Sequence, residues 1–251
     1  IRIEENVKNL RFSKESSIVT CSFLNKNGNE ENISPSHILV ATGRRPNIAH
    51  LNLDAGLIAW SPKGIQVDAC LRSSNKRVYA IGDCIGGYQF THVAAYHAGI
   101  ALRNTIFKLG KKIDTKAIPW VTYTDPELAH VGILESDLIT QKIKYKTLYL
   151  PFSGNDRAQT EKQTEGGILA FVTPKGKILG VTILGAHAGE LIYPWVIAIQ
   201  NNLKIGQISD SIAPYPTFSD LSKQIAGSFY KEKIFSPFIQ KIVKFLMSVT
   251  R

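Results

Sequence analysis

The stretch from Ser73 to Ala95 constrains the fold more than any other. Val78, Tyr79, Ala80 and Ile81 form a short apolar run that ends in Gly82-Asp83. A Gly-rich segment with Gly86 and Gly87 follows, and a helical pattern opens at Thr91. The run predicts a strand. A strand, a loop and a helix in that order are how an open α/β sheet presents a carboxylate at a strand's carboxyl end, where nucleotides bind. Gly82 lets the backbone come close to a ligand. Asp83 offers acceptors for hydroxyl hydrogens, such as those of a sugar or sugar alcohol. The same spacing fits a plainer strand, turn and helix in which the Asp is a cap, and a short motif alone does not separate the two.

Before this stretch, residues 7–42 read as a β-meander. Residues 17–23 are rich in β-branched side chains, and Asn25-Lys26-Asn27-Gly28-Asn29 is a turn by composition. Residues 33–41 read as a further strand, ending in Ala41-Thr42-Gly43-Arg44-Arg45-Pro46-Asn47, where Pro46 stops regular structure. Residues 48–117 form a second block. Leu51-Asn52-Leu53 and Ile65-Gln66-Val67 read as extended pieces around a loop at residues 60–64, and a helix is predicted from Thr91 to about Leu109, with Gly110 as its stop.

Residues 118–231 form a third block of sheet plus helices. Strands are predicted over 118–123, 128–133, 144–150, 168–172 and 178–184, and helices over 135–142, 191–201 and 219–227. The fold class is therefore α/β followed by an α+β domain. The tail, residues 232–251, places Phe235, Phe238, Ile239, Ile242, Val243 and Leu246 at helical spacing, with Lys233, Lys241, Lys244 and Arg251 between or beyond them. Ser236-Pro237 fits the start of that helix. A basic amphipathic helix can lie on a membrane surface. Docking on its own protein or on a partner is the reading preferred on amphipathicity alone.

Composition narrows the class. The chain has 251 residues, 44% hydrophobic and 20% charged, enough for one or two domains with a real core. Net charge is +10, yet the Lys and Arg residues are scattered and not interleaved with aromatics, so no nucleic-acid partner is expected. No apolar run is long enough for a membrane span. Three cysteines, Cys21, Cys70 and Cys84, include no CxxC or CxxxxC pair, so neither a local dithiol nor a metal site is expected. So few cysteines fit a reducing compartment, with the cytoplasm as the expected location. Cys84 reads as a small buried residue rather than a reactive thiol.

Three motifs in this order resemble the pyridine nucleotide-disulfide oxidoreductases, the family of dihydrolipoamide dehydrogenase, glutathione reductase and mercuric reductase. They are Ala41-Thr42-Gly43-Arg44-Arg45-Pro46-Asn47, Val78-Tyr79-Ala80-Ile81-Gly82-Asp83, and Tyr123-Thr124-Asp125-Pro126-Glu127-Leu128-Ala129-His130-Val131-Gly132. A fourth match runs from Gly180 to Glu190. The resemblance implies FAD and NAD(P)H as cofactors. It matches Asp83, with Gly82 before it, to the family Asp that holds the ribityl chain of FAD. It places Thr91 where a loop-to-helix backbone meets the flavin side, with His92 following as in the dehydrogenase. Gly43 matches the glycine that lies against the nicotinamide nucleotide. The implied domains are the end of an NAD(P)-binding domain (1–47), the end of an FAD-binding domain (48–117), a dimerisation domain (118–231) that completes the partner's active site in a homodimer, and the basic tail helix (232–251).

Two departures qualify the resemblance. Where the family's dehydrogenases carry His-Pro-Thr followed shortly by Glu, this chain reads Tyr215-Pro216-Thr217-Phe218-Ser219-Asp220. A histidine titrates near 6.5 and suits proton transfer, whereas a tyrosine has a reference pKa of about 10 and at neutrality donates a hydrogen bond. Tyr215 and Asp220 are thus candidate residues of an acceptor site, as in the mercuric reductase and transhydrogenase branches, although the cysteine pair that ends mercuric reductases is missing. The plainer reading of Tyr215 is a packed interface aromatic. The second departure is the lack of the FAD pyrophosphate loop, the CxxxxC pair and the GxGxxG. Together with an opening at Ile1 that shows neither Met nor signal peptide, this reads as the C-terminal half of an enzyme. The expected partner is then a separate N-terminal half in trans. The alternative is a non-catalytic dimerising module from a split or truncated gene.

Overall fold

The computed structural model describes residues 7–15 and 18–249. The chain divides into two compact units, Ile1–Arg45 and Pro46–Arg251. In the first, β1 (Lys8–Glu15), β2 (Ile18–Leu24) and β3 (Glu30–Ile33) make an antiparallel sheet in the order β1-β2-β3. The Asn-rich turn forms because the Asn25 side chain replaces a backbone acceptor: its Oδ1 accepts from the Asn27 and Asn29 amides at 2.9 and 3.1 Å. Gly28 takes the left-handed backbone this turn requires, at φ 80°. The third strand differs from expectation. It pairs Glu30 to Ile33 with Leu24 to Cys21 and stops there, two residues before Pro35, which has no N–H to extend a ladder. Residues 34–41, expected as strand, carry no regular structure, and Leu39 is exposed.

In the second unit, β4 (Trp60–Ser61) and β5 (Gly64–Ile65) close a tight hairpin where sequence indicated only a loop. Residues 51–53 are turns rather than an extended piece: Leu53 O accepts from the Gly56 and Ile58 amides, and Asn52 has a positive φ of 47°. Residues 78–81 are extended, as expected, but are not a full strand. They meet residues 71–73 through an isolated bridge, Arg72 to Tyr79, with Ala80 N donating to Leu71 O at 3.1 Å. The chain then winds into a 3-10 turn, Gly82–Ile85, and enters α1 (Thr91–Ile106). Val93, His97, Ile100 and Asn104 lie on the buried side of α1, at the spacing of one helix face.

From Ala117 onward the chain builds a five-stranded antiparallel sheet. Its strands are β6 (Trp120–Thr122), β7 (Glu127–Gly132), β8 (Lys146–Pro151), β9 (Gly167–Val172) and β10 (Ile178–Gly185), in the order β6-β7-β10-β9-β8. β9 and β10 are buried over nearly their whole length, which is why they read as continuous apolar runs. Helix α2 (Glu135–Thr140) follows β7, and α3 (Asp156–Glu161) follows β8. The predicted helix over 191–201 is two helices, α4 (Ala188–Leu191) and α5 (Tyr193–Gln200), the second starting with Pro194 in its first turn. Then come α6 (Ile205–Ser209), α7 (Asp220–Ile234) and α8 (Pro237–Val249). Trp195 is fully buried, and its Nε1 donates to Ser222 Oγ at 3.1 Å, tying α5 to α7. Among the described residues no helix is long and apolar enough to cross a membrane.

Candidate functional site

The predicted site residues of the second unit fall into two clusters. The first is the Gly82-Asp83 turn. Gly82 has φ 67°, and a Cβ there would lie 2.9 Å from Ala94 Cβ, so the turn rests directly on α1. Its backbone amide donates to Nδ1 of His97 at 3.2 Å. His97 is therefore neutral, with its proton on Nε2, and burial holds its pKa below the usual histidine value. The other side of the turn meets the hairpin: a Cβ on Gly86 would strike the Lys63 carbonyl oxygen. Two close backbone approaches and one buried hydrogen bond fix the turn, and Asp83 projects from it half-buried. Cys84 is occupied locally, its thiol donating to Ile81 O at 3.1 Å.

Thr91 and His92 open α1 one turn before Ala94, and both are exposed. The His92 ring stacks on Phe90, with centroids 5.2 Å apart and planes 9° apart, and its Nε2 lies 2.9 Å from Pro119 O. Beside them opens a cleft of about 400 Å³ lined by Phe90, Thr91, His92, Pro119, Tyr123 and Tyr193 among others. The surface mixes aromatic and aliphatic side chains, and it includes the positive end of a helix 16 residues long. Gly43 lies in the first unit, exposed, at φ 104° and with nothing within 4 Å of the position of a Cβ.

The second cluster surrounds Tyr215. The phenol is 72% exposed and donates to Asp156 Oδ2 at 2.7 Å. That hydrogen bond, then the charge of Asp156, a small desolvation and the charge of Asp220 raise the phenol's pKa above its ordinary value. Tyr215 is thus a donor at neutral pH. Asp220 accepts from Gln224 Nε2 within the first turn of α7. The loop is held from below by Asn155, which is buried. Its Oδ1 caps α3 by accepting from the Ala158 amide at 3.0 Å, and its Nδ2 donates to Thr217 O at 3.1 Å. Sequence reasoning missed Asp156, Asn155 and His97. Asn155-Asp156 is a readable helix start, but nothing in the sequence pairs it with a tyrosine 59 residues on. Among the described residues, no group of three or more His, Cys, Asp or Glu is placed to hold a metal.

An antiparallel sheet domain after a Gly-Asp turn that rests on a helix defines a class of protein, and comparison with known proteins identifies it. Residues 1–98 match the family model for pyridine nucleotide-disulphide oxidoreductases, and residues 118–226 match that family's dimerisation domain. The chain belongs to the pyridine nucleotide-disulphide oxidoreductase family. It is 36% identical over 215 residues to a mercuric reductase of Staphylococcus aureus, covering 85% of this chain and 39% of that protein. It is 35% identical over 198 residues to a dihydrolipoyl dehydrogenase of Chlamydia trachomatis, covering 78% and 42%. The chain thus spans less than half the length of these curated relatives. Among solved structures, LpdA from Mycobacterium tuberculosis superimposes with a TM-score of 0.79 at 26% identity, over 88% of this chain and 48% of that one. The Cu(II) complex of the flavoprotein disulfide reductase RclA from Escherichia coli shares the fold, with a TM-score of 0.78 at 24% identity over 89% and 50%.

Proposed function

We propose that this chain is the C-terminal portion of an FAD-dependent NAD(P)H oxidoreductase, active when joined by the pyrophosphate loop and redox cysteine pair that its sequence lacks. FAD, when bound, would take a hydride from the nicotinamide and pass the electrons to a disulfide, metal or other acceptor. The observation that carries this reading is the Gly82-Asp83 turn, pinned to α1 by the Gly82–His97 hydrogen bond. A half-exposed carboxylate on a rigid turn fits the hydroxyls of the flavin's sugar-alcohol chain. Residues 1–47 would end the nicotinamide domain, with Gly43 against that nucleotide. Residues 48–117 would end the flavin domain, with Thr91 and His92 facing the flavin. Residues 118–231 would form the homodimer, in which Tyr215, held by Asp156 and with Asp220 beside it, donates a hydrogen bond to the acceptor at the partner's site. A phenol with a raised pKa orients an acceptor better than it shuttles protons.

Flavin retention tests the proposal. The chain alone should take up FAD weakly. With an N-terminal half carrying GxGxxG and CxxxxC supplied in trans, it should retain FAD and reduce a dye with NAD(P)H. Asp83→Asn should then weaken retention about 10- to 100-fold, the range for a hydrogen bond to a charged group. Tight stoichiometric FAD uptake by the chain alone would refute the divided site. Undiminished retention by Asp83→Asn would refute the role of Asp83.

A further inference from the structure

Helix α8 lies beyond both family-model matches, the second of which ends at residue 226. From Phe238 to Ser248 every residue except Ile239 is exposed. That includes Phe238, Phe245 and Met247, exposed at 71%, 66% and 63%. Of the two arrangements preferred from sequence, docking on its own protein or on a partner, the exposed face of α8 does not show the first. At about 100° per residue, Phe238, Ile239, Ile242, Val243, Phe245 and Met247 spread over an arc of roughly 200°, and Gln240, Lys241, Lys244 and Ser248 fill the remainder. Such an arc is wider than the narrow seam of a two-helix coiled coil.

Charge discriminates among possible occupants. Glu232 is the last acidic residue of the chain, and its carboxylate is paired with Lys146 at 3.2 Å. After it come Lys233, Lys241, Lys244 and Arg251 with no Asp or Glu. A second copy of α8 meeting it through the apolar arc would leave Lys241 and Lys244 on the far side, with no carboxylate on the helix to pair them. A surface that is apolar inside and anionic at its rim satisfies both faces at once. The 13 described residues of α8 span about 20 Å, a length suited to lie along a bilayer surface. A broad apolar face with lysines on the opposite, polar face is the pattern of helices that sit in the headgroup layer.

We propose that α8 is a membrane-surface anchor that lies in the headgroup layer of an anionic bilayer, its phenylalanines and Ile242 towards the acyl chains and its lysines towards lipid phosphates. Ser236 sets where the helix begins: its Oγ accepts from the Ile239 amide at 3.4 Å, and Pro237 takes the first helical position. The break at Phe235-Ser236 separates α8 from α7, so the anchor can seat without distorting the sheet domain.

Co-sedimentation of the full chain with lipid vesicles tests this. Binding should be about tenfold stronger to phosphatidylcholine vesicles containing phosphatidylglycerol than to phosphatidylcholine alone. Lys241→Glu with Lys244→Glu should remove that difference. Phe238→Glu with Ile242→Glu should abolish binding to both, while circular dichroism shows the domain folded. Equal binding by the native chain and the Phe238→Glu, Ile242→Glu variant would overturn the proposal, as would no binding of the native chain to the anionic vesicles. Self-association in lipid-free solution that the same apolar substitutions abolish would assign the face to a second copy, and also overturns it.

Discussion

The two parts of the second unit, residues 46–117 and 118–231, are built on opposite plans. The later part has a core of its own. Ala129, Val131, Ile168, Ala170, Val181 and Ile183 of the sheet pack against Phe152, Trp195, Leu221 and Ile225 from the surrounding segments. The earlier part has a small cluster, Ile48, Leu53, Ile65 and Ala80, and a separate set of buried Leu71, Val93 and Ile100, with a two-stranded hairpin and isolated bridges in place of a sheet. Leu51, Leu57, Ile106 and Phe107 are exposed there. A domain that buries a continuous core specifies itself, whereas a segment whose apolar burial is smaller and divided relies more on particular contacts. The Gly82-Asp83 turn depends on such contacts: one hydrogen bond to His97 and close packing at Gly82 and Gly86.

The largest expected effect separates the two plans. Trp195→Ala removes the largest fully buried side chain and orphans the Ser222 hydroxyl, and should cost about 3–5 kcal/mol. Urea unfolding followed by far-ultraviolet circular dichroism should show the sheet domain failing early. Ile65→Ala, in the small cluster, should leave the sheet domain's transition in place and loosen only the hairpin. An equal loss from both substitutions would mean the two parts unfold as one cooperative body, and the contrast would be broken.

How far the sequence reveals the molecule follows the same division. Among the strands of residues 118–185, β9 and β10 were the most legible, because burial on both faces writes long apolar runs, while β6 and β8, more exposed, were read from partial alternation and a proline at the strand start. β3, Glu-Glu-Asn-Ile, was not, because three of its four residues are polar and one-sided pairing leaves them in solvent. Short polar α3 was missed for a similar reason: its Asp-Arg-Ala-Gln-Thr-Glu has no apolar period, and what holds it is the Asn155 cap. In the site, Gly82-Asp83 and Tyr215 stood out as motif positions. Their supports did not. His97 lies 15 residues from Gly82 on a helix face that reads as ordinary core, and Asp156 lies 59 residues from Tyr215. A motif marks a residue by its sequence neighbours, while the group that fixes it in place is chosen by the fold.

A smaller effect compares a buried histidine from each part. His97 and His130 are both held below the usual pKa of 6.5 by burial, with a hydrogen bond to the Gly132 carbonyl partly offsetting this for His130. His130 sits inside the sheet, Nδ1 2.8 Å from Thr182 Oγ1 and Nε2 3.2 Å from Gly132 O. A histidine with a depressed folded pKa leaves stability intact above the unfolded value. Stability is lost as pH falls from about 6.5 through the folded pKa, because the unfolded chain takes up the proton first. Protonating His97 also removes the acceptor for the Gly82 amide. In a pH titration by nuclear magnetic resonance, the Gly82 amide shift should follow the His97 ring, and His97→Gln should abolish that coupling. A Gly82 amide indifferent to His97 would show that packing alone holds the turn.

The smallest effect concerns Tyr215, which is well exposed and held by a single hydrogen bond. Its phenol should ionise above the ordinary tyrosine value, because losing the proton breaks the bond to Asp156 and places a second negative charge beside that carboxylate. Ultraviolet titration at the phenolate band should show one tyrosine of delayed ionisation that Tyr215→Phe removes. Asp156→Asn should lower that tyrosine's pKa, whereas Asp220→Asn should move it less, since Asp220 acts only through its charge. Both substitutions leave the Asn155 bond to Thr217 O in place, so a change in ionisation reports the partner and not the loop. If Asp156→Asn left the phenol unmoved, its position would have to come from the loop alone. The second cluster would then be held as the rest of its domain is, by packing, and the contrast with the hydrogen-bonded Gly82-Asp83 turn would be sharper still.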